Sequence, residues 1–269
     1  MLNYIYRYDI SVLYHYLFLD QMRANPLNLD EHAKKYLALE QWFKTPQGAW
    51  AAQAFVEEII CFRSQLRGDR LLQLGHCANN PWLESLKYQR KIIASPCLNQ
   101  KGTAVTTLFN QLPFDRDSID CIIAPLTFEA FSFDKNPLDE LDRILKPMGY
   151  IVFWGINPLS FWGLALKSGC LPILGHAKIK PTSVFSVKHA VLARGYRQCA
   201  LSTFYYIPPV KQKKLLNGLE FLNEMGKMLW LYPAGFYCLV VQKHEIIPPS
   251  LTIKAIEDNY LVCVDSPII

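Results

Sequence analysis

Apolar positions recur first at helical spacing and then, further along the chain, in short strand-like runs. From Asp30 to Leu66 the pattern is helical. Asp30 reads as an N-cap, Pro46-Gln47-Gly48 as a break, and Ala49, Ala52, Phe55, Val56, Ile59, Ile60 and Phe62 as the inner face of a second helix. Arg67-Gly68-Asp69 closes that region. Beyond it, apolar runs at Arg70 to Leu74, Lys91 to Ser95, Thr103 to Leu108, Ile119 to Ala124 and Tyr150 to Gly155 alternate with helical or loop stretches. Such alternation predicts βαβ units and a parallel sheet covered on both faces. Two further strand-like runs, Arg197 to Ile207 and Phe236 to Lys243, flank a helix predicted from Val210 to Trp230. The predicted fold is a doubly wound, Rossmann-like α/β sheet of seven strands that ends on an antiparallel strand. The expected organisation is a helical extension over 1–66, the sheet domain over 67–243 and a tail over 244–269 that holds one more apolar run, Tyr260 to Val264.

Composition narrows the class without naming a function. Of 269 residues 51% are hydrophobic and 19% charged, which excludes a disordered chain. The balance of 28 Lys+Arg against 23 Asp+Glu, a net charge of +5, is too mild to argue for nucleic acid. The 8 cysteines form no CxxC pair and have no histidine at zinc-finger spacing, so they read as mostly buried, reduced thiols of a cytoplasmic protein, and no metal site is expected. The stretch Met1 to Met22 is interrupted by Arg7, Asp9, His15 and Asp20, so it reads as a helix packed through Leu13, Tyr14 and Leu17 and not as a leader or a membrane span.

In an open α/β sheet the ligand lies at the carboxyl ends of the strands, which directs attention to Leu71-Leu72-Gln73-Leu74-Gly75-His76-Cys77-Ala78-Asn79-Asn80-Pro81. Gly75 can make the tight turn, Asn79 tolerates a left-handed conformation, and Asn79 or Asn80 with Pro81 would start the next helix. The run Leu71 to Gly75 resembles the first motif of class I S-adenosylmethionine-dependent methyltransferases. Closer still are Leu112-Pro113-Phe114-Asp115-Arg116-Asp117-Ser118-Ile119-Asp120-Cys121-Ile122-Ile123-Ala124 and Leu138-Asp139-Glu140-Leu141-Asp142-Arg143-Ile144-Leu145-Lys146-Pro147-Met148-Gly149-Tyr150. These are similar to that family's "LPF, turn, SFD" and "RVLKPGG" elements, in the methyltransferase type 11 group.

The resemblance implies S-adenosylmethionine as cofactor and nominates Gln73, Gly75, His76, Cys77, Ser95, Asn110 and Pro125 to hold it. Five positions depart from the family. Gln73 replaces an acidic residue, Cys77 and Asn79 replace glycines, Ser95 the carboxylate that grips the ribose, and Leu108 an acidic residue whose nearest polar neighbour is Asn110. A hydroxyl at 95 supplies a neutral hydrogen bond of roughly 1 kcal/mol where a charged group gives about 1.5 to 3, a loss of around tenfold in affinity. Methyl transfer from a sulfonium relies on alignment, so no triad is required, and His76, Glu129, His176 and His189 are the titratable candidates for a base.

The almost wholly apolar stretch Pro158 to Gly175, in a segment 158–195, suits a lid over a small apolar or aromatic acceptor, and Asn157 before Pro158 reads as a helix cap. A methyltransferase acting on such an acceptor is the reading of the sequence. Its alternatives are a non-catalytic protein that keeps the fold for partner binding and, supported only by mild positive charge, an RNA methyltransferase.

Overall fold

A computed structural model describes residues 26–97, 102–131, 137–170, 181–210, 218–219, 221–229 and 232–244. The tail run at Tyr260, the helix predicted before Met22, and His176 lie outside the described residues.

Among the described residues two helices precede the sheet, α1 (Pro26–Phe43) and α2 (Pro46–Phe62). The predicted break between them is an N-cap. The Thr45 hydroxyl accepts a hydrogen bond from Gly48 N at 3.1 Å, and Pro46 takes the first helical position, where its missing N–H costs nothing. Helix α1 begins four residues before the predicted cap at Asp30, on Pro26.

The seven strands are β1 (Gly68–Leu74), β2 (Tyr88–Ser95), β3 (Val105–Thr106), β4 (Ile119–Pro125), β5 (Leu145–Ile156), β6 (Tyr196–Phe204) and β7 (Phe236–Lys243). They are ordered β3-β2-β1-β4-β5-β7-β6, and β7 runs antiparallel to both of its neighbours. The chain leaves β1 toward β2 and β3 and returns to β4 on the other side. The topological switch point, where such sheets open a crevice, therefore lies between β1 and β4.

The helices after β4 are α3 (Thr127–Phe131), α4 (Leu138–Ile144), α5 (Phe161–Lys167), α6 (Val184–Leu192) and α7 (Phe221–Leu229). Leu138, Leu141 and Ile144, at helical spacing, bury the inner face of α4. The helix stops at Ile144, however, and Lys146-Pro147 already belongs to β5, whose pairing with β4 is irregular between Ile119 and Cys121. Ser160, not the predicted Asn157, is the N-cap of α5, accepting from Gly163 N at 3.1 Å.

The helix predicted after Asn80 does not form. Between β1 and β2 only one 3-10 turn, Pro81–Leu83, is present. A parallel pair normally carries a crossover helix that covers one face of the sheet. Here α2 supplies that cover from the amino-terminal side. Phe55 is fully buried, with its ring 5.8 Å from Trp82, 4.7 Å from Trp154 of β5, 5.2 Å from Phe204 of β6 and 5.3 Å from Phe236 of β7. Glu58 of α2 receives the Ser202 hydroxyl of β6. The two amino-terminal helices and the sheet thus share one core.

Candidate functional site

The turn after β1 is built from side chains that lock it from within. Gly75 sits at φ +83°, a conformation that glycine adopts without steric cost, and donates its N–H to Ala94 O at 2.6 Å. Gln73 is buried, and its Nε2 donates to Gly75 O at 2.8 Å and to Asn80 Oδ1 at 2.6 Å. Its Oε1 accepts from Trp82 Nε1 at 2.8 Å. Asn80 Oδ1 also accepts from Cys77 N at 2.9 Å. The left-handed residues of the loop are Ala78 and Asn80, not Asn79, and the Asn80 side chain closes the loop instead of capping a helix.

Each nominated residue has a definite place. Ser95 is buried at the end of β2, and its hydroxyl accepts from Cys97 N at 3.2 Å. Cys77 is buried, and burial pushes its thiol well up from the ordinary range. Pro125 ends β4 in register with Trp154, and Asn110 is exposed beside the buried Phe109. His76 lies with its Nδ1 4.0 Å from Glu40 Oε1 of α1. A cavity of about 670 Å³ adjoins the outer side of this loop, lined among others by Glu40, Lys44, His76, Asn79, Glu84 and Gly102. Of the nominated residues only His76 lines it.

The space over the Gly75 turn belongs to α1. A Cβ placed on Gly75 would come within 2.2 Å of Tyr36 Cε1. Tyr36 is completely buried, its ring packs edge-on against Phe109 at 5.3 Å, and its hydroxyl lies against Thr127 of α3. One turn earlier on α1, Ala33 O accepts from Cys97 Sγ at 3.3 Å. Helix α1 therefore crosses the strand tips from β2 to β4, with Tyr36 at the switch point.

A nucleoside sulfonium laid on the glycine turn would need the volume of the Tyr36 ring. No crossover helix presents its amino terminus to such a ligand, and the Gln73 and Ser95 side chains are engaged inside the protein. With α1 docked, these residues do not fit the cofactor that the resemblance implies. The spacing of Ala33, Tyr36, Leu39 and Phe43 marks an inward stripe in the sequence, but nothing local tells which loop that stripe meets.

Behind Tyr36 lies Glu129 of α3. Its Oε1 accepts from Ile156 N at 3.0 Å, while Oε2 is buried with no hydrogen-bond partner among the described residues. Burial raises the carboxyl to about 7, against partial relief from backbone donors at Ile156, Glu129 itself and Thr182. Tyr36 and Tyr237 face it and are themselves pushed up, chiefly by burial.

The native state therefore holds this proton over a pH range in which the unfolded chain has released it. Its stabilising contribution is complete below the ordinary glutamate range and disappears as pH rises to about 7. Denaturation midpoints measured between pH 4 and 8 are expected to fall across that window with a slope approaching one proton per molecule, and Glu129→Gln is expected to flatten it. An identical pH profile in the variant would remove Glu129 as the cause. Among the other candidates for a base, His189 is exposed in the last turn of α6.

Comparison with known proteins agrees with this architecture. Residues 80–153 match the profile of a methyltransferase domain family. The chain is 24% identical over 219 residues to the uncharacterized protein YafS of Escherichia coli K12, covering 80% of this chain and 85% of that protein. Among solved structures, an S-adenosylmethionine-dependent methyltransferase from Thermotoga maritima aligns with a TM-score of 0.55 at 16% identity, covering 76% of this chain and 93% of that one. One from Archaeoglobus fulgidus aligns at 0.49 and 16% identity, over 70% and 93% of the two chains.

Proposed function

From a chain with the class I S-adenosylmethionine-dependent methyltransferase fold, we propose a methyltransferase that takes its cofactor at the β1/β4 switch point after α1 has lifted. The observation that carries this reading is the block from Leu112 to Val152. Its described residues form β4, α3, α4 and most of β5 beside a glycine turn at φ +83°, within a sheet of the order β3-β2-β1-β4-β5-β7-β6. When bound, the cofactor supplies an activated methyl group. The residues of this chain hold the Gly75 turn rigid through Gln73, Asn80 and Trp82, and Tyr36 fills the crevice until α1 lifts.

The acceptor is a small apolar or aromatic molecule. Support comes from the strand-tip edge beyond β5, where α5 sets Phe161 and Leu164 outward and Trp162 inward. A second reading, a non-catalytic protein on the same fold, is favoured by the contact of Tyr36 with Gly75 and by the missing crossover helix.

Calorimetric titration with S-adenosylmethionine and S-adenosylhomocysteine separates the two. Heat of binding, with faster hydrogen exchange in α1, supports the enzyme. No heat at millimolar ligand, in the wild type and in Tyr36→Ala alike, leaves the non-catalytic reading.

A further inference from the structure

We propose that the cavity between α1 and the loop after β1 binds a small primary amine with an apolar body, at a site separate from the Gly75 crevice. The cavity exists because the chain leaves a gap in its own packing. The connection from β1 to β2 contains a 3-10 turn in place of a crossover helix, and α2 covers the sheet further along, where Phe55 packs on Trp82 and Trp154. Between α1, the loop and β2 about 670 Å³ is left unfilled. Its apolar surface comes from Ala78, Leu83 and, on β2, Ile93.

The charges that line this space are two carboxylates and one ammonium, those of Glu40, Glu84 and Lys44. Glu40 stands in the last turn of α1, with its side chain 15% exposed. Lys44 follows that helix, and its Nζ donates to Glu40 Oε1 at 2.6 Å, so the ammonium of the lining is already paired with a carboxylate. The second carboxylate, Glu84, is exposed at the end of the 3-10 turn. The lining is therefore acidic within a chain whose net charge is +5. An acidic recess in a basic protein favours a cation over an anion.

The cation is organic. Among the described residues no group of three or more His, Cys, Asp and Glu side chains comes together as a metal ion would require. Ala78, Leu83 and Ile93 offer contact that a hydrated ion does not use and an alkyl or aryl body does. The exposed Asn79 adds an amide carbonyl, a further acceptor for ammonium protons. His76 closes the inner wall. Its Nδ1 lies 4.0 Å from Glu40 Oε1, and its Nε2 is turned to Gly102, where a Cβ would stand 3.5 Å away.

One wall of the cavity belongs to α1 and the opposite wall to the loop that α1 covers. An amine held by Glu40 and Glu84 ties the two together and keeps Tyr36 over Gly75. The occupant is in this respect an effector of α1, and its binding does not depend on a cofactor in the crevice.

Phenethylamine, 2-phenylethanol and phenylacetate, titrated at millimolar concentration into the full chain, test the site. They share one ring, and only the amine is a cation at neutral pH. Phenethylamine is expected to raise the melting temperature progressively with concentration and to slow amide exchange across residues 33–44. The alcohol and the carboxylate are expected to do neither. Glu84→Gln is expected to weaken phenethylamine about tenfold while melting with the wild type, since the side chain is exposed. Asn79→Asp places another carboxylate on the same wall and is expected to tighten the amine several-fold, a gain that a damaged fold does not produce. No shift with phenethylamine, an equal shift with phenylacetate or the alcohol, or the same response in the wild type and both variants would overturn the proposal. Binding of S-adenosylhomocysteine, measured separately, bears on the crevice alone, so failure of either result leaves the other standing.

Discussion

Phe55→Ala is expected to lower the stability of the whole chain by about 3 to 5 kcal/mol, the usual cost of emptying a buried aromatic site. The ring touches elements far apart in sequence: the turn after β1 and strands β5, β6 and β7. Loss of so many contacts around one side chain leaves a cavity that neighbouring indoles and phenyl rings cannot collapse to fill. Because α2 stands where a crossover helix would otherwise cover the sheet, the melting temperature should drop by roughly 10 °C in one cooperative transition. Thermal unfolding followed by circular dichroism and by tryptophan fluorescence checks this. If α2 were an appendage with a core of its own, the variant would show an early transition that leaves the sheet intact.

Gly75→Ala is the second large effect, and it acts through α1. The substitution places a Cβ where the Tyr36 ring lies and asks a non-glycine residue to hold φ +83°. Positive φ at an ordinary residue costs about 1 to 3 kcal/mol, and the steric conflict adds to it. The expected result is a loss of about 2 to 4 kcal/mol together with faster amide exchange across residues 33–40.

Combining it with Tyr36→Ala separates the two parts. The steric part should disappear in the double variant and the backbone part should persist, giving a coupling of about 1 to 3 kcal/mol between the positions. Strict additivity would mean that α1 does not rest on the turn.

What the chain discloses before folding is uneven, for physical reasons. Strand β7 is bounded by Pro233-Ala234-Gly235 and by the polar end of its apolar run, and it forms over the predicted Phe236–Lys243. Pro113 and Asp117 punctuate the chain before β4, which forms within one residue of its predicted bounds, whereas β5 starts five residues before the predicted Tyr150 because Gly149 lies inside the strand and does not open it. The predicted helix after Asn80 failed because Asn80-Pro81 mimics a cap locally while β2 already begins at Tyr88.

Long-range facts had no such signal. The pattern marks Tyr36 as inward but cannot say that it meets Gly75. Periodicity shows an apolar stripe on α7 but not that the stripe faces outward, because that depends on Gly226 and Asn223 fitting Tyr206. The candidate binding residues were legible as positions on the strand tips. Their engagement in internal hydrogen bonds was not, since it arises from Trp82, Asn80 and Cys97 brought in by the fold.

The measurement that bears most directly on the crevice is the affinity of S-adenosylhomocysteine for the wild-type chain and for Tyr36→Ala, taken side by side. If ring and nucleoside compete for one volume, removing the ring should tighten binding by about tenfold or more, since the ligand no longer has to displace a docked α1. Equal affinities in the two proteins would contradict that competition and place the ligand away from the β1/β4 switch point.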